Sequence, residues 1–201
     1  MHPNKAFAWE DRGAALRFVM ERAFAHIFTA SEAGLFVVHA PVLVTPMGRV
    51  QFHVSRRNRI AQYLPGRVLI SVSGREAYQS ANWYVSDNQV PTWHYEAVEV
   101  EGEASPLSSD GLIELLDRLS ERFENELQPD RPWTRGKMAA GKFEAMTRAI
   151  VGFEVDPVGV RGTRKFNQHK TGDDLAATIE GQAGAGRNDI VEAISEMTKS
   201  E

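Results

Sequence analysis

The segment Phe52-His53-Val54-Ser55-Arg56-Arg57-Asn58-Arg59 gathers residue types that hold anions. Its first half has the apolar alternation of a strand, and its second half opens a stretch of helical character. Exposed backbone N–H groups at such a junction, flanked by arginine and asparagine, favour a phosphate or carboxylate. Arginine adds a planar fork that matches phosphate oxygens. The plainer reading of three arginines in four positions is a solvated charged loop.

A second cluster is aromatic. Asn82-Trp83-Tyr84 and Pro91-Thr92-Trp93-His94-Tyr95 place five rings within 13 residues, separated by a polar loop. Such rings give a planar ligand a flat surface and a polar tip. They serve equally well in a core or a subunit interface. His39 stands alone in an apolar run before Ala40-Pro41, and a lone strand histidine is more often a satisfied core group than a ligand. Pro41 lacks a ladder donor, which predicts an edge or a bulge there. A third cluster, Arg161 to Lys170, carries five basic residues, four Lys or Arg and His169, with Phe166 among them. It reads as a nucleic-acid contact, as a segment that closes over an anion, or as an ordinary exposed loop. His39, His53, His94 and His169 have no short metal-ligand spacing, so no metal site is expected.

These clusters need elements to position them. Ala14, Leu16, Val19, Met20, Ala23 and Phe24 recur at spacings of three and four and predict a helix over 11–26. Residues 27–30, the apolar run 35–44 and residues 49–54 are separated by turn signals and predict an antiparallel meander. Residues 56–64 read as a short helix stopped by Pro65-Gly66. Strands follow over 68–72 and, after a turn at Ser73-Gly74, over 76–80. The longest strand covers 92–104, where Val98, Val100 and Gly102 alternate with Glu99, Glu101 and Glu103. Helices are expected over 108–123, capped by Ser108 or Ser109, and over 135–147. A last strand covers 149–155, and weaker helices cover 175–186 and 189–199.

Sequential strands joined by short turns favour a fold that is mainly β with peripheral helices (α+β), an antiparallel barrel, over a doubly wound sheet. The expected organisation is a barrel domain over 1–160, with N-terminal and inserted helices, then a basic segment and weakly helical tail over 161–201. The chain has 201 residues, 42% hydrophobic and 25% charged, which suits a globular domain. It has no cysteine, which excludes disulfides and thiolate chemistry. Its net charge of −4 is a poor prior for DNA binding. No apolar run approaches membrane-spanning length, and no signal-peptide core is evident, so a cytoplasmic location is expected. Gly-x-Gly-x-x-Gly after the first strand, Walker A, His-Glu-x-x-His and Gly-x-Ser-x-Gly patterns are absent. No acid/base pair or nucleophile is assembled, which leaves catalysis open.

The clusters, in this order, resemble the PaiB-like family of FMN-binding negative transcriptional regulators. The matching pieces are His39-Ala40-Pro41-Val42-Leu43, His53-Val54-Ser55-Arg56-Arg57-Asn58, Ala77-Tyr78, Asn82-Trp83-Tyr84 and Pro91-Thr92-Trp93-His94-Tyr95. Later pieces are residues 149–155 and Lys165-Phe166-Asn167-Gln168. The chain departs from the family pattern where Arg59 stands in place of the usual proline, where His94 stands in place of the usual asparagine, and in the tail piece, where Lys165-Phe166-Asn167-Gln168-His169 replaces the usual Lys-Leu-Ser-Gln-Asn. The resemblance implies an FMN-binding split β-barrel and a homodimer with FMN at the subunit interface. It also implies an FMN-binding set of His39, His53, Arg56, Asn58, Arg59, Trp83, Tyr84, Trp93, Tyr95, Lys165 and Gln168. The phosphate is expected at Arg56 to Arg59, and the ring near His39 against aromatic residues of the partner subunit. Flavin-dependent redox or sensing is the function implied, linked to transcriptional repression. A DNA-contacting regulator and a haem-binding or haem-degrading barrel are the alternatives.

Overall fold

Alternating burial along the strands explains the sheet. In the computed structural model, which describes residues 1–198, seven strands form one antiparallel sheet. They are β1 (Ala8–Trp9), β2 (Phe24–Ser31), β3 (Gly34–Val44), β4 (Val50–Ser55), β5 (Gly66–Gln79), β6 (Thr92–Pro106) and β7 (Ile150–Lys165). Their order is β1-β7-β4-β3-β2-β5-β6, and a further β7–β6 pairing closes the barrel. Inward residues such as Val50, Phe52 and Val54 on β4, and Val98 and Val100 on β6, are buried, while their neighbours are not. That is the period of two expected when one face of each strand lines a core.

The chain forms two compact units. Among the described residues, one comprises 16–72 and 99–160, and the other comprises 1–15, 73–98 and 161–198. β7 passes from the first unit to the second between residues 160 and 161.

Several elements differ from expectation. The predicted strands 68–72 and 76–80 are one strand, β5, because Ser73-Gly74 continues extended instead of turning. β7 runs to Lys165, ten residues beyond the predicted end, so the first half of the basic cluster is strand. Pro41 is not at an edge. It pairs with Phe24 where β3 exchanges partners, β2 up to that point and β4 from Val42 onward, so the missing donor falls at the switch. The first helix, α1 (Arg12–Arg22), stops four residues early, where Ala23 takes φ 51° and turns the chain into β2. Residues 59–63 form only a 3-10 turn.

α2 (Ser109–Leu127) begins at Ser108, whose side chain accepts from Gly111 N at 3.1 Å. Leu115 and Leu119 pack it on Leu43 of the first unit. The predicted helix over 135–147 is reduced to a 3-10 turn at Arg135–Lys137 and to α3 (Lys142–Thr147). Gly141, at φ 74°, starts α3 in a conformation that interrupts any longer helix. In the second unit α4 (Gly172–Gly184) and α5 (Asn188–Thr198) form a helical hairpin over Phe166 and Ala77. Lys199, the last residue of the predicted final helix, lies outside the described residues.

Candidate functional site

The eleven predicted site residues divide between the units. His39, His53, Arg56, Asn58 and Arg59 belong to the first; Trp83, Tyr84, Trp93, Tyr95, Lys165 and Gln168 belong to the second.

In the first unit the β4 exit is a fixed turn. Arg56 N donates to Ala149 O at 2.9 Å, and Arg56 Nε donates to Arg148 O at 3.0 Å. Asn58 N donates to Ser55 O at 2.9 Å, and its Oδ1 accepts from Ile60 N at 3.1 Å. Asn58 therefore caps the 3-10 turn. Arg59 lies over the Phe36 ring at 5.1 Å, and Phe36 stacks on Tyr63 at 4.2 Å. Arg56, Arg57 and Arg59 are exposed, so three guanidinium groups project from a pinned backbone. His39 is on the outer face of β3, ring to ring with His26 at 4.6 Å, and is exposed rather than a core histidine. His53 points outward from β4 into a cavity of ≈ 330 Å³ under α2 and α3. Its Nδ1 is buried without a partner, and burial lowers its pKa, which keeps the ring neutral at pH 7.

In the second unit the aromatic cluster splits into exposed and structural members. Trp93 is 54% exposed and Tyr78 51%, and their rings meet edge to face at 6.0 Å. Trp83 instead lies flat against Gly181 of α4, where a Cβ would come within 2.4 Å of the ring. Tyr84 Oη accepts from Asn167 Nδ2 at 2.8 Å, with Lys170 over its ring at 4.8 Å. Its pKa is raised, chiefly by burial, as is that of Tyr95. Lys165 Nζ donates to Thr92 Oγ1, and burial lowers its pKa. Gln168 is a latch: Oε1 accepts from Phe166 N at 2.8 Å, and Nε2 donates to Ala6 O at 3.0 Å and Arg164 O at 2.6 Å.

The basic run is likewise engaged. Arg164 faces Glu96 at 3.5 Å, and Lys170 donates to Gln89 Oε1 at 2.7 Å. The buried member of the cluster is His94. Its Nε2 meets Gln79 Oε1 at 3.0 Å, and Gln79 Oε1 also accepts from Gln182 Nε2 at 3.2 Å. Burial pushes the His94 pKa down to about 4.

Sequence reasoning missed Phe36 and Tyr63, left Tyr78 out of the binding set although it lies in a matching piece, and missed the cavity residues Leu116, Trp133, Phe143 and Met146. Leu116 reads as part of the α2 stripe, although it faces the cavity rather than the core. Trp133 precedes a segment whose glycines hide its turn. Among the described residues no cluster of His, Asp or Glu could hold a metal ion, and no helix is long and apolar enough to cross a membrane.

The model of the family described as "Putative FMN-binding domain" matches residues 1–157. The chain belongs to this family. FMN is its cofactor, and the fold is the flavin-binding split barrel. "Protease synthase and sporulation protein PAI 2" of Bacillus subtilis (strain 168) is 29% identical over 188 residues, covering 90% of this chain and 88% of that protein. This agrees with the PaiB-like resemblance. The FAD and heme binding protein of Mycobacterium smegmatis superposes with TM-score 0.60 at 14% identity, covering 85% of this chain and 79% of that one. The flavocytochrome Anf3 of Azotobacter vinelandii gives 0.58 at 14% identity, covering 86% and 73%. At such identities these likenesses bear on fold alone.

Within this FMN-binding family the donor set of the present chain fits the cofactor. Three exposed arginines suit a phosphate dianion, and exposed Trp93 and Tyr78 suit a flat ring.

Proposed function

We propose that the chain is a cytoplasmic flavoprotein that acts as a homodimer and holds the FMN phosphate at the Arg56–Arg59 turn. The observation that carries this reading is the pinned backbone of that turn. Arg56, Arg57 and Arg59 leave it as three cationic arms, and the ordering cost is met by backbone bonds already in place. The ring would rest near His39, against Trp93 and neighbouring aromatics of a second copy. Tyr95, two positions from Trp93 on β6, and Lys165, bonded to the adjacent Thr92, remain in the proposed set as polar groups. His53, Trp83, Tyr84 and Gln168 enter it as supports, since each is committed to a cavity or to packing. Bound FMN would supply reversible electron transfer, for redox chemistry or for sensing. The positive charges of Arg164 and Lys170 serve internal ties, so direct DNA contact is not part of this proposal.

The test is a comparison of FMN with riboflavin, which lacks the phosphate. Wild-type protein should quench FMN fluorescence with micromolar or tighter affinity. Replacing Arg56 and Arg59 with alanine should weaken FMN far more than riboflavin. A charge-assisted bond contributes about 1.5–3 kcal/mol, or roughly 10- to 100-fold per arginine. Equal losses for the two flavins, with the fold intact, would move the phosphate elsewhere. A Soret shift on haem titration with no FMN quenching would replace flavin with haem.

A further inference from the structure

The sheet gives His39 a single polar neighbour on its own face. β3 pairs with β2 up to Pro41 and with β4 only from Val42, so at His39 it is an edge strand. Across the pair stands His26, which in turn lies opposite Ser71 of β5. Directly opposed residues hold their Cβ atoms about 4.5–5.5 Å apart, and diagonal ones are about 7–8 Å apart. The other near positions on this face are Val37 and Pro41 along β3 and Phe24 and Phe28 along β2. All four are apolar, so only His26 can meet the His39 ring with a polar ring of its own.

The two imidazoles meet at right angles. Their centroids are 4.6 Å apart and their planes cross at 87°, the edge-to-face arrangement that ring pairs favour. Among the described residues neither ring hydrogen-bonds to another group of the chain. His39 is exposed, whereas His26 is half-buried between β3 and β5. His26 is therefore the held ring, and His39 the ring that needs holding. An exposed side chain on an edge strand samples several rotamers, and a ligand that requires one of them loses affinity to the ordering. Contact with His26 removes part of that freedom before a ligand arrives.

We propose that His26 is a positioning residue for the flavin ring and acts through His39, whose imidazole it fixes in one orientation by edge-to-face contact. This deepens the flavin reading and rests on it, since that reading sets the ring near His39. The polar edge of an isoalloxazine alternates carbonyl and N–H groups. An imidazole held still offers its ring nitrogens to such an edge in one register. An imidazole that turns freely does so only part of the time, and apparent affinity falls by the competent fraction. Three χ1 wells and two ring flips set that loss at about three- to sixfold.

FMN and riboflavin titrations of His26 variants test this role. His26→Ala should weaken both flavins by the same three- to sixfold, unlike the arginine replacements, which single out FMN. His26→Gln, polar but without a ring, should behave as His26→Ala. His26→Phe keeps an aromatic edge against His39 and should restore wild-type affinity. In a His39→Ala background, His26→Ala should cost nothing further, because a residue that acts through another has no effect once that other is gone. In flavin-free protein, the His39 imidazole NMR resonances should average toward those of a free side chain in His26→Ala and stay distinct in His26→Phe. Wild-type affinity in both ring-less variants, no rescue by His26→Phe, or a loss that persists in the His39→Ala background would each overturn the inference. Any of these, with the arginine contrast between FMN and riboflavin intact, leaves the flavin reading standing. Absence of FMN quenching by the wild-type protein overturns both, and it is seen before any variant is made.

Discussion

Replacing His94 tests a single residue against the pH dependence of the whole fold. The ring is fully buried, bonded to Gln79, and its pKa is held near 4, against about 6.5 in the unfolded chain. Between those values the unfolded chain binds a proton that the folded chain refuses. Stability is therefore complete above pH 6.5 and falls as the pH drops toward 4, by about 2–4 kcal/mol in all. His53 and His169 are also lowered and push the same way, while the lowered carboxylates Asp174 and Glu196 titrate at the acid end. His94→Asn should flatten the slope of stability over pH 4.5–6.5 without abolishing it. Urea midpoints at pH 7, 5.5 and 4.5 measure this, and identical slopes in both proteins would refute it. The sequence marked His94 as part of an aromatic cluster, but not as its buried member. Residue type and spacing found the arginine turn, because a charge run at a strand exit is a local signal. They did not separate Trp93, which is exposed, from Trp83, which is pressed on a helix 98 positions later, because that distinction depends on long-range packing.

At the scale of elements, α4 is held through Gly181. A Cβ there would meet Trp83 at 2.4–2.7 Å, against a ring that cannot yield without leaving the helix. Gly181→Ala should gain helix propensity and still lose about 1–3 kcal/mol to overpacking. Gly184→Ala, in the same helix with open space at the Cβ position, is the control and should be neutral or stabilising. Thermal melts of the two variants decide it; equal melting temperatures would mean that Trp83 does not anchor α4. This contact also shows which elements the sequence could announce. β2, β3, β4, β6 and α2 were legible because each carries its own period and its own turn or cap. The unbroken β5 was not, since Ser73-Gly74 is a turn signal that tertiary pairing overrides. α3 was overread for the opposite reason: apolar residues over 135–147 have near-helical spacing, but they line a cavity from a turn and a six-residue helix.

For the molecule as a whole, the unanswered surface is the outer face of β2 and β3. Register puts Phe24 opposite Pro41, His26 opposite His39, Phe28 opposite Val37 and Ala30 opposite Leu35. Along that face Phe24 is 56% exposed, Phe28 40%, Val37 46% and Leu35 87%. Two strands that alternate cleanly should turn polar residues to water, and these turn aromatic and branched ones. Exposed apolar residues on both sides of the His26–His39 pair suit an interaction surface, and the proposed homodimer supplies its partner. The expected species in sedimentation at tens of micromolar has twice the 22.4 kDa mass of the chain. Phe28→Lys with Val37→Glu should yield a folded monomer whose melting temperature no longer rises with protein concentration, because the association that stabilises the wild type is gone. If the flavin ring rests between copies, that monomer also loses FMN while Arg56, Arg57 and Arg59 remain untouched. A monomer that retained full FMN affinity would confine the cofactor to one chain, and a wild-type protein that sedimented as a monomer would remove the homodimer altogether.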